Sequence, residues 1–453
     1  MGQRALPGFR DFYPAEFADR AHLFATFRRI ARRFGFVEYD GPPLEPLELY
    51  TQKSGEEIVG QLYNFTDKGG REVALRPEMT PTVARLVGAR AAALPKPVRW
   101  FSIPQLFRYE RQQKGRLREH FQLNVDIFGE SDSLADAELL AVACEIMRAF
   151  DLGPDDVRAR VSDRRLLNAL LSHLGITDAQ APAVYAVLDK LERQPQEISR
   201  EKLALAGCSP EQAAAVLAFG TLDFDAAVVA YGQSPTVQPH LERFAQYRAH
   251  LDALGVLEYV HFDLSIVRGL AYYTGIVFEL FDAKGEFRAI CGGGRYDTLL
   301  SSLGGSDLPA LGFGMGDVVL GELLRARGKL ASTLARPDFW LVPDDGADVP
   351  AVLRAARALR RHEFSVVHAL DADRLWNRKP RTQMQDAQRQ GARAGLRVLP
   401  GGVAEVILFD RSDGDAASRR VDLAALLAGD AAASVPVVAQ LRDLLAADAA
   451  PSS

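Results

Sequence analysis

The sequence predicts an α+β chain: an antiparallel sheet flanked by helices, broken by a helical insertion, and followed by a small α/β domain. Three observations lead there. Short strand-like segments parted by glycine turns recur between residues 72 and 128. An Ala- and Leu-rich stretch with few strand signals fills about 164–255, after which strand patterns resume. From Asp338 onward, strand-like runs alternate with helical ones.

The chain has 453 residues, 48% of them hydrophobic and 25% charged, values ordinary for globular protein. That length implies about two to four domains. No run approaches the ~18 apolar residues of a spanning helix, and the opening MGQRALPGFRDFYP lacks the apolar core of a signal peptide. Met1-Gly2 starts a myristoylation pattern, but Leu6 stands where it needs Ser or Thr. Cys144, Cys208 and Cys291 are too far apart for a metal knuckle, and an odd, sparse count fits a reducing compartment. A cytoplasmic protein with no membrane partner is expected. The net charge of −5 provides no global basic field, so a polyanion would need a local patch.

Taken in order, residues 17–34 carry Phe17, Leu23, Phe24, Phe27, Ile30 and Phe34 near helical spacing. Strands are expected at 72–75, 98–103, 106–111 and 121–128, with turns at Lys68-Gly69-Gly70 and Lys114-Gly115. A second helix starts at Ser133, with Asp136 three residues on as a capping pair. It shows an apolar stripe from Leu139 to Phe150 and is closed by Gly153. Strands resume at 259–263 and 275–282. The first domain is thus drawn over 1–330, with its insertion at about 164–255, and an α/β domain over 337–430. An Ala-rich tail follows over 431–453, its end Pro451-Ser452-Ser453 expected to fray.

The segment FRYERQQKGRLREHFQLNVDIFG, residues 107–129, asks for more than a turn. In a strand, alternate side chains share a face, which sets Phe121, Leu123, Val125 and Ile127 against Gln122, Asn124 and Asp126. Arg108 and Glu110 share a face of the strand before it. Paired through the Lys114-Gly115 loop, the two polar faces line one surface. An ordered set of Arg, Glu, Gln and Asp suits a zwitterionic or phosphate-bearing ligand. A solvated sheet face fits this stretch alone as well.

Residues 106–129 resemble the arginine-bearing signature of class II aminoacyl-tRNA synthetases, most closely the histidyl-tRNA synthetase family. GFVEYDGPPLEPLELY is similar to the element that builds the class II dimer interface, and GREVALRPEMTPTVARLV to the Leu-Arg-Pro-Glu-x-Thr loop. IVRGLAYYTGIVFEL resembles the Arg-Gly-Leu-x-Tyr-Tyr-Thr-Gly element of histidine-specific members. CGGGRYD matches a glycine-rich family element; alone it would be a weak phosphate-loop hint, or a tight turn. The matches run in the family's order from Leu6 to about Leu330.

The resemblance implies a class II synthetase sheet and a homodimer. It also implies a histidine–tRNA ligase that uses ATP with Mg2+ to form histidyl-adenylate and passes the histidyl group to tRNA(His). The attacking carboxylate is already an anion, so the protein's task is alignment and charge stabilisation rather than base catalysis. By resemblance, Arg108 and Arg268 serve the α-phosphate and the substrate carboxylate. Glu110 holds the adenine end and Arg116 the outer phosphates. Glu78, Met79, Thr80 and Gln122 lie about the α-ammonium. Asp126 and Tyr273, with Tyr272 beside them, read the imidazole. No protein metal site is implied. Asp126 is one methylene shorter than the Glu more usual there.

Two departures stand out. Class II enzymes usually carry an arginine that clamps the γ-phosphate, but the aligned run LGFGMGDVVL has Val319 there, after Asp317 and Val318. Losing such a contact costs about 1.5–3 kcal/mol. Arg116, Arg118 or Mg2+ are candidates to compensate, and the two valines read as helix core. The second departure is that the C-terminal domain resembles the family's anticodon-binding domain only loosely, best at PRTQMQDAQRQGAR. Arg374, Arg378, Lys379, Arg381, Arg389 and Arg393 form either a tRNA-facing surface or a solvated face. The alternative assignment is a non-ligating, histidine-binding regulatory subunit of ATP phosphoribosyltransferase. The valines favour that assignment; the C-terminal domain and the arginine-bearing set oppose it.

Overall fold

A computed structural model describes residues 5–446 except 52–55, 111–114, 192, 268–272, 304, 306, 331–333, 335, 345–348, 372–377 and 410–417. The chain divides into two compact units, Met1–Ser332 and Thr333–Ser453.

The first unit is built on a nine-stranded sheet among the described residues. From one edge it runs Val37–Glu38, Val98–Ser102, Glu119–Phe128, Ala310–Gly316, Cys291–Arg295, Ile276–Asp282, Val157–Asp163 and Val260–Phe262, and Gln105–Phe107 also pairs with Glu119–Phe128. The central pairings are antiparallel. The outermost ones are parallel, which the sequence did not suggest: Val37–Glu38 runs with Val98–Ser102, and Val157–Asp163 with Val260–Phe262. The second parallel pair is joined through the helical insertion, from Arg164–His173 to Gln238–Ala253, and a long crossover is what parallel strands require.

Alternation decides which face is packed. Leu123, Val125 and Ile127 are buried among the helices Pro14–Arg33 and Ser133–Ala149. The helix Ser133–Ala149 is capped differently from the expected pattern. Asp132 is the N-cap, accepting from the Leu134 amide, and Asp136 instead pairs with Arg295. That helix ends on Phe150, before Gly153. The strand expected over 106–111 is only Gln105–Phe107.

The second unit carries the order Val366–His368, Phe339–Pro343, Ala394–Val398, Val403–Leu408, Ser418–Asp422, of which the last strand was not foreseen. Its helices include Val349–Arg361 and Pro380–Arg389. The tail is more than a fraying end. Ala431–Ala446 is a helix that buries Val438, Leu441 and Leu445 in the second core. Ala-rich composition hid those three apolar positions, spaced as one helical stripe. Pro451 to Ser453 lie outside the described residues.

Candidate functional site

The polar face of Glu119–Phe128 opens into a cavity because its neighbours are glycines. Gly312, Gly314 and Gly316 stand opposite Asp126, Asn124 and Gln122, and Gly294 and Gly292 stand opposite Gly312 and Gly314. A Cβ on Gly314 would lie 2.5 Å from the Gln122 amide nitrogen, and one on Gly312 would collide with the Asp126 carboxylate and lie 2.7 Å from the Tyr296 hydroxyl. Glycine inside strands weakens packing and marks a close approach. Here it makes room for the side chains of the adjoining strand. CGGGRYD is therefore neither a phosphate loop nor a tight turn; its glycines lie in the strand Cys291–Arg295 and form the floor of a trough.

The trough leads into an open cavity of about 1710 Å3. Arg108, Glu110, Arg116, Gln122 and Tyr273 all line it. Arg108 is half-buried, and its Nε donates to the Pro77 carbonyl at 2.9 Å, which fixes the guanidinium plane. Pro77 is held in turn by Arg76, a buried side chain that donates to the carbonyls of Gln105 at 3.0 Å and Gly41 at 2.7 Å. Arg116 and Glu110, expected at opposite ends of a nucleotide, form an ion pair at 3.1 Å.

The remaining predicted residues are placed differently. Asp126 is 2% exposed and lies behind the cavity wall. One carboxylate oxygen accepts from the Tyr296 hydroxyl. The other, Oδ2, is buried with no hydrogen-bond partner among the described residues. Burial pushes this carboxyl up to about 7, the Tyr296 bond opposing the rise. Glu78 is buried, and Thr80 is the half-buried first residue of the helix Thr80–Ala89. The Met79 side chain is fully buried, its sulfur 3.9 Å from Arg76 Nη1. The Tyr273 phenol is held well above its ordinary range by burial first, then by the nearby acidic groups, Glu78, Glu279 and Asp126 among them. It stays a hydrogen-bond donor. Arg268 and Tyr272 lie outside the described residues.

Sequence reasoning missed several contributors. Tyr296, the tyrosine of CGGGRYD, holds Asp126; the signal was a tyrosine after a glycine-rich strand. His120 shares the alternation of Gln122 and Asp126 and lines the cavity. Burial, with Arg108 and Arg10 nearby, pushes its imidazole down to about 3, so it is neutral at physiological pH. Val318 and Val319 are half-buried and line the cavity, and Val319 also packs against the main core, in keeping with its helix-core reading. Asp317 before them is structural, accepting from Arg10 Nη1 at 2.9 Å and from the Phe121 amide at 2.9 Å.

In the second unit, Arg378 and Arg389 both pair with Asp386, at 3.2 and 2.6 Å, and Arg393 pairs with Asp338 at 3.1 Å. Lys379 and Arg381 are exposed at the start of Pro380–Arg389. Arg374 lies outside the described residues. No helix among the described residues is long and apolar enough to cross a membrane.

Comparison with known proteins matches residues 8–316 to the family model described as histidyl-tRNA synthetase. The chain is 46% identical over 375 residues to a histidine–tRNA ligase of Opitutus terrae, spanning 81% of this chain and 85% of that one. It is 39% identical over 390 residues to one of Leptospira biflexa, spanning 85% and 87%. Among solved structures, the histidyl-tRNA synthetase of Nostoc sp. PCC 7120 superposes with a TM-score of 0.79 over 98% of this chain and 100% of that one, at 22% identity.

Proposed function

The chain belongs to the histidyl-tRNA synthetase family, and we propose that it is a histidine–tRNA ligase working in the cavity over the glycine floor. It joins histidine to AMP at the expense of ATP and transfers the histidyl group to the 3′ end of tRNA(His). The observation that carries the site assignment is that Arg108, Glu110, Arg116, Gln122 and Tyr273 line one cavity. Its volume exceeds the roughly 300–1,000 Å3 of ordinary small-molecule pockets, which leaves space for a nucleotide, an amino acid and a ribose end together.

In the first step the histidine carboxylate attacks the α-phosphorus and pyrophosphate leaves. Arg108, its plane fixed by Pro77, stabilises the charge that builds on the α-phosphate. Arg268 is assigned the same task from the opposite side. Arg116 leaves Glu110 for the outer phosphates, and Glu110 turns to the adenine end. Mg2+ enters as the counter-ion of ATP, carried on its phosphates.

Glu78, Thr80 and Gln122 hold the α-ammonium. Asp126, Tyr273 and Tyr296 read the imidazole. Once its proton is released, Asp126 Oδ2 accepts an imidazole N–H, the partner that this buried oxygen lacks among the described residues. Analogues without that N–H leave it unmet, which is a strong source of rejection. His120, held neutral, adds no competing positive charge beside Arg108.

The wider arrangement belongs to the same proposal. A homodimer is supported by the exposed sheet edge at Val37–Glu38, where Val37 is 62% exposed. Residues 337–430 with the helix Ala431–Ala446 bind the anticodon arm, Lys379 and Arg381 among the contacts, in a cytoplasmic enzyme. The regulatory-subunit alternative is disfavoured by the ligase relatives, whose similarity spans 81% of this chain or more.

Histidine-dependent exchange of pyrophosphate into ATP, followed by charging of tRNA(His), tests the proposal. Exchange and charging are expected. A folded protein that binds histidine without exchange would sink it in favour of the regulatory reading, and exchange without charging would remove the role given to the second unit.

A further inference from the structure

The cavity has a corner where a cation for the outer phosphates is expected and Val319 stands. The structure fills the same corner from another element. The turn at Gly115, with φ +74°, approaches both: an ideal Cβ there would lie 3.5 Å from Val319 Cγ2 and 3.8 Å from Arg288 Cδ. Arg116 follows directly, and Gly115, Arg116, Arg288, Val318 and Val319 all line the cavity. Arg288 comes from the loop that joins the strands Ile276–Asp282 and Cys291–Arg295.

That loop is anchored on both sides of Arg288. Before it, the Glu286 amide donates to Asp282 Oδ2 at 2.8 Å, and Arg327 binds Asp282 at 2.6 Å and Glu286 at 3.0 Å. Phe287 packs against the main core. After it, the Ile290 amide donates to the Leu280 carbonyl at 2.7 Å, and the Ile290 carbonyl accepts from the Gly316 amide at 3.3 Å. The Ile290 side chain is 2% exposed. Arg288 itself is exposed, so an anchored loop presents a long cationic side chain on the cavity rim.

We propose that Arg288 is the second guanidinium of the polyphosphate subsite, acting with Arg116 on the pyrophosphate portion of ATP in place of a cation at position 319. This rests on the ligase reading of the cavity. A guanidinium there matches phosphate oxygens in a two-pronged way that an ammonium does not. Its entry from the loop explains how a valine is accommodated at 319: the two stems share the space beside Gly115.

The test compares the unaltered protein with Arg288→Gln and Arg288→Lys. Steady-state pyrophosphate exchange gives KM for ATP and for histidine, and inhibition gives constants for pyrophosphate and AMP. Arg288→Gln is expected to weaken ATP and pyrophosphate about tenfold or more, with histidine and AMP unchanged and the melting temperature held. Arg288→Lys is expected to fall between. Unchanged ATP and pyrophosphate constants in Arg288→Gln overturn the inference, as does a parallel loss for histidine and AMP. Should the unaltered protein show no exchange, the ligase reading fails separately. Calorimetric binding of pyrophosphate to the unaltered and Gln proteins then decides Arg288 alone: weakened binding supports it, and equal binding overturns it.

Discussion

Tyr296 donates its hydroxyl to Asp126 from beyond an intervening strand, over Gly312, the residue whose missing side chain leaves the space for both. The pair is buried, and the second oxygen of Asp126 has no partner among the described residues. A carboxyl in that state favours its proton, so its elevated titration near 7 and its role toward a ligand share one cause.

A pH dependence of stability follows. The folded chain keeps the Asp126 proton up to about pH 7, whereas an unfolded carboxyl releases it near 3.8. The stability this contributes is full below the lower value and is lost as pH rises through the upper one. Asp126→Asn removes the buried charge while keeping the acceptor for Tyr296. Its stabilising effect should therefore grow from pH 4 to pH 8, reaching on the order of 4 kcal/mol. Histidine affinity should fall at the same time. Urea titrations across that range check the first outcome, and a flat difference would place the proton elsewhere.

Glycine substitutions should separate packing from binding. At Gly314 an added Cβ meets the end of the flexible Gln122 side chain. Gly314→Ala should therefore cost little stability and raise KM for histidine by displacing that amide. At Gly312 the added Cβ also meets the Val125 carbonyl at 2.8 Å, backbone that cannot move aside. Gly312→Ala should lower both the melting temperature and activity. Calorimetry beside exchange kinetics tells the two patterns apart.

Arg295 has a large structural role. It is fully buried, with Nη2 2.7 Å and Nε 3.0 Å from the Asp136 carboxylate and Nη1 2.8 Å from the Glu130 carbonyl. Arg295→Met leaves Asp136 as a buried charge without its partner, so a loss of about 3–5 kcal/mol is expected by denaturant unfolding.

Arg116 should behave oppositely. Its side chain is 44% exposed, and its ion pair with Glu110 is screened by solvent. Arg116→Ala is expected to move stability by less than about 0.5 kcal/mol and to raise KM for ATP several-fold. A stability loss without a kinetic one would make the pair structural.

The sequence by itself determined the class of fold and the family, because these rest on local periodicity and on motifs contiguous in the chain. Alternation in residues 121–128 separated Leu123, Val125 and Ile127, which pack in the main core, from Gln122, Asn124 and Asp126, which stand opposite glycines. It did not show that Asp126 would be buried and held by Tyr296, that Arg116 would hold Glu110, or that Val319 would share its corner with Arg288. The Asp126–Tyr296 and Val319–Arg288 meetings join residues far apart in sequence through strand register, whereas Arg116 and Glu110 are near neighbours in the chain. Register is a property of the assembled sheet: glycines on one strand have meaning only once the side chains opposite them are known.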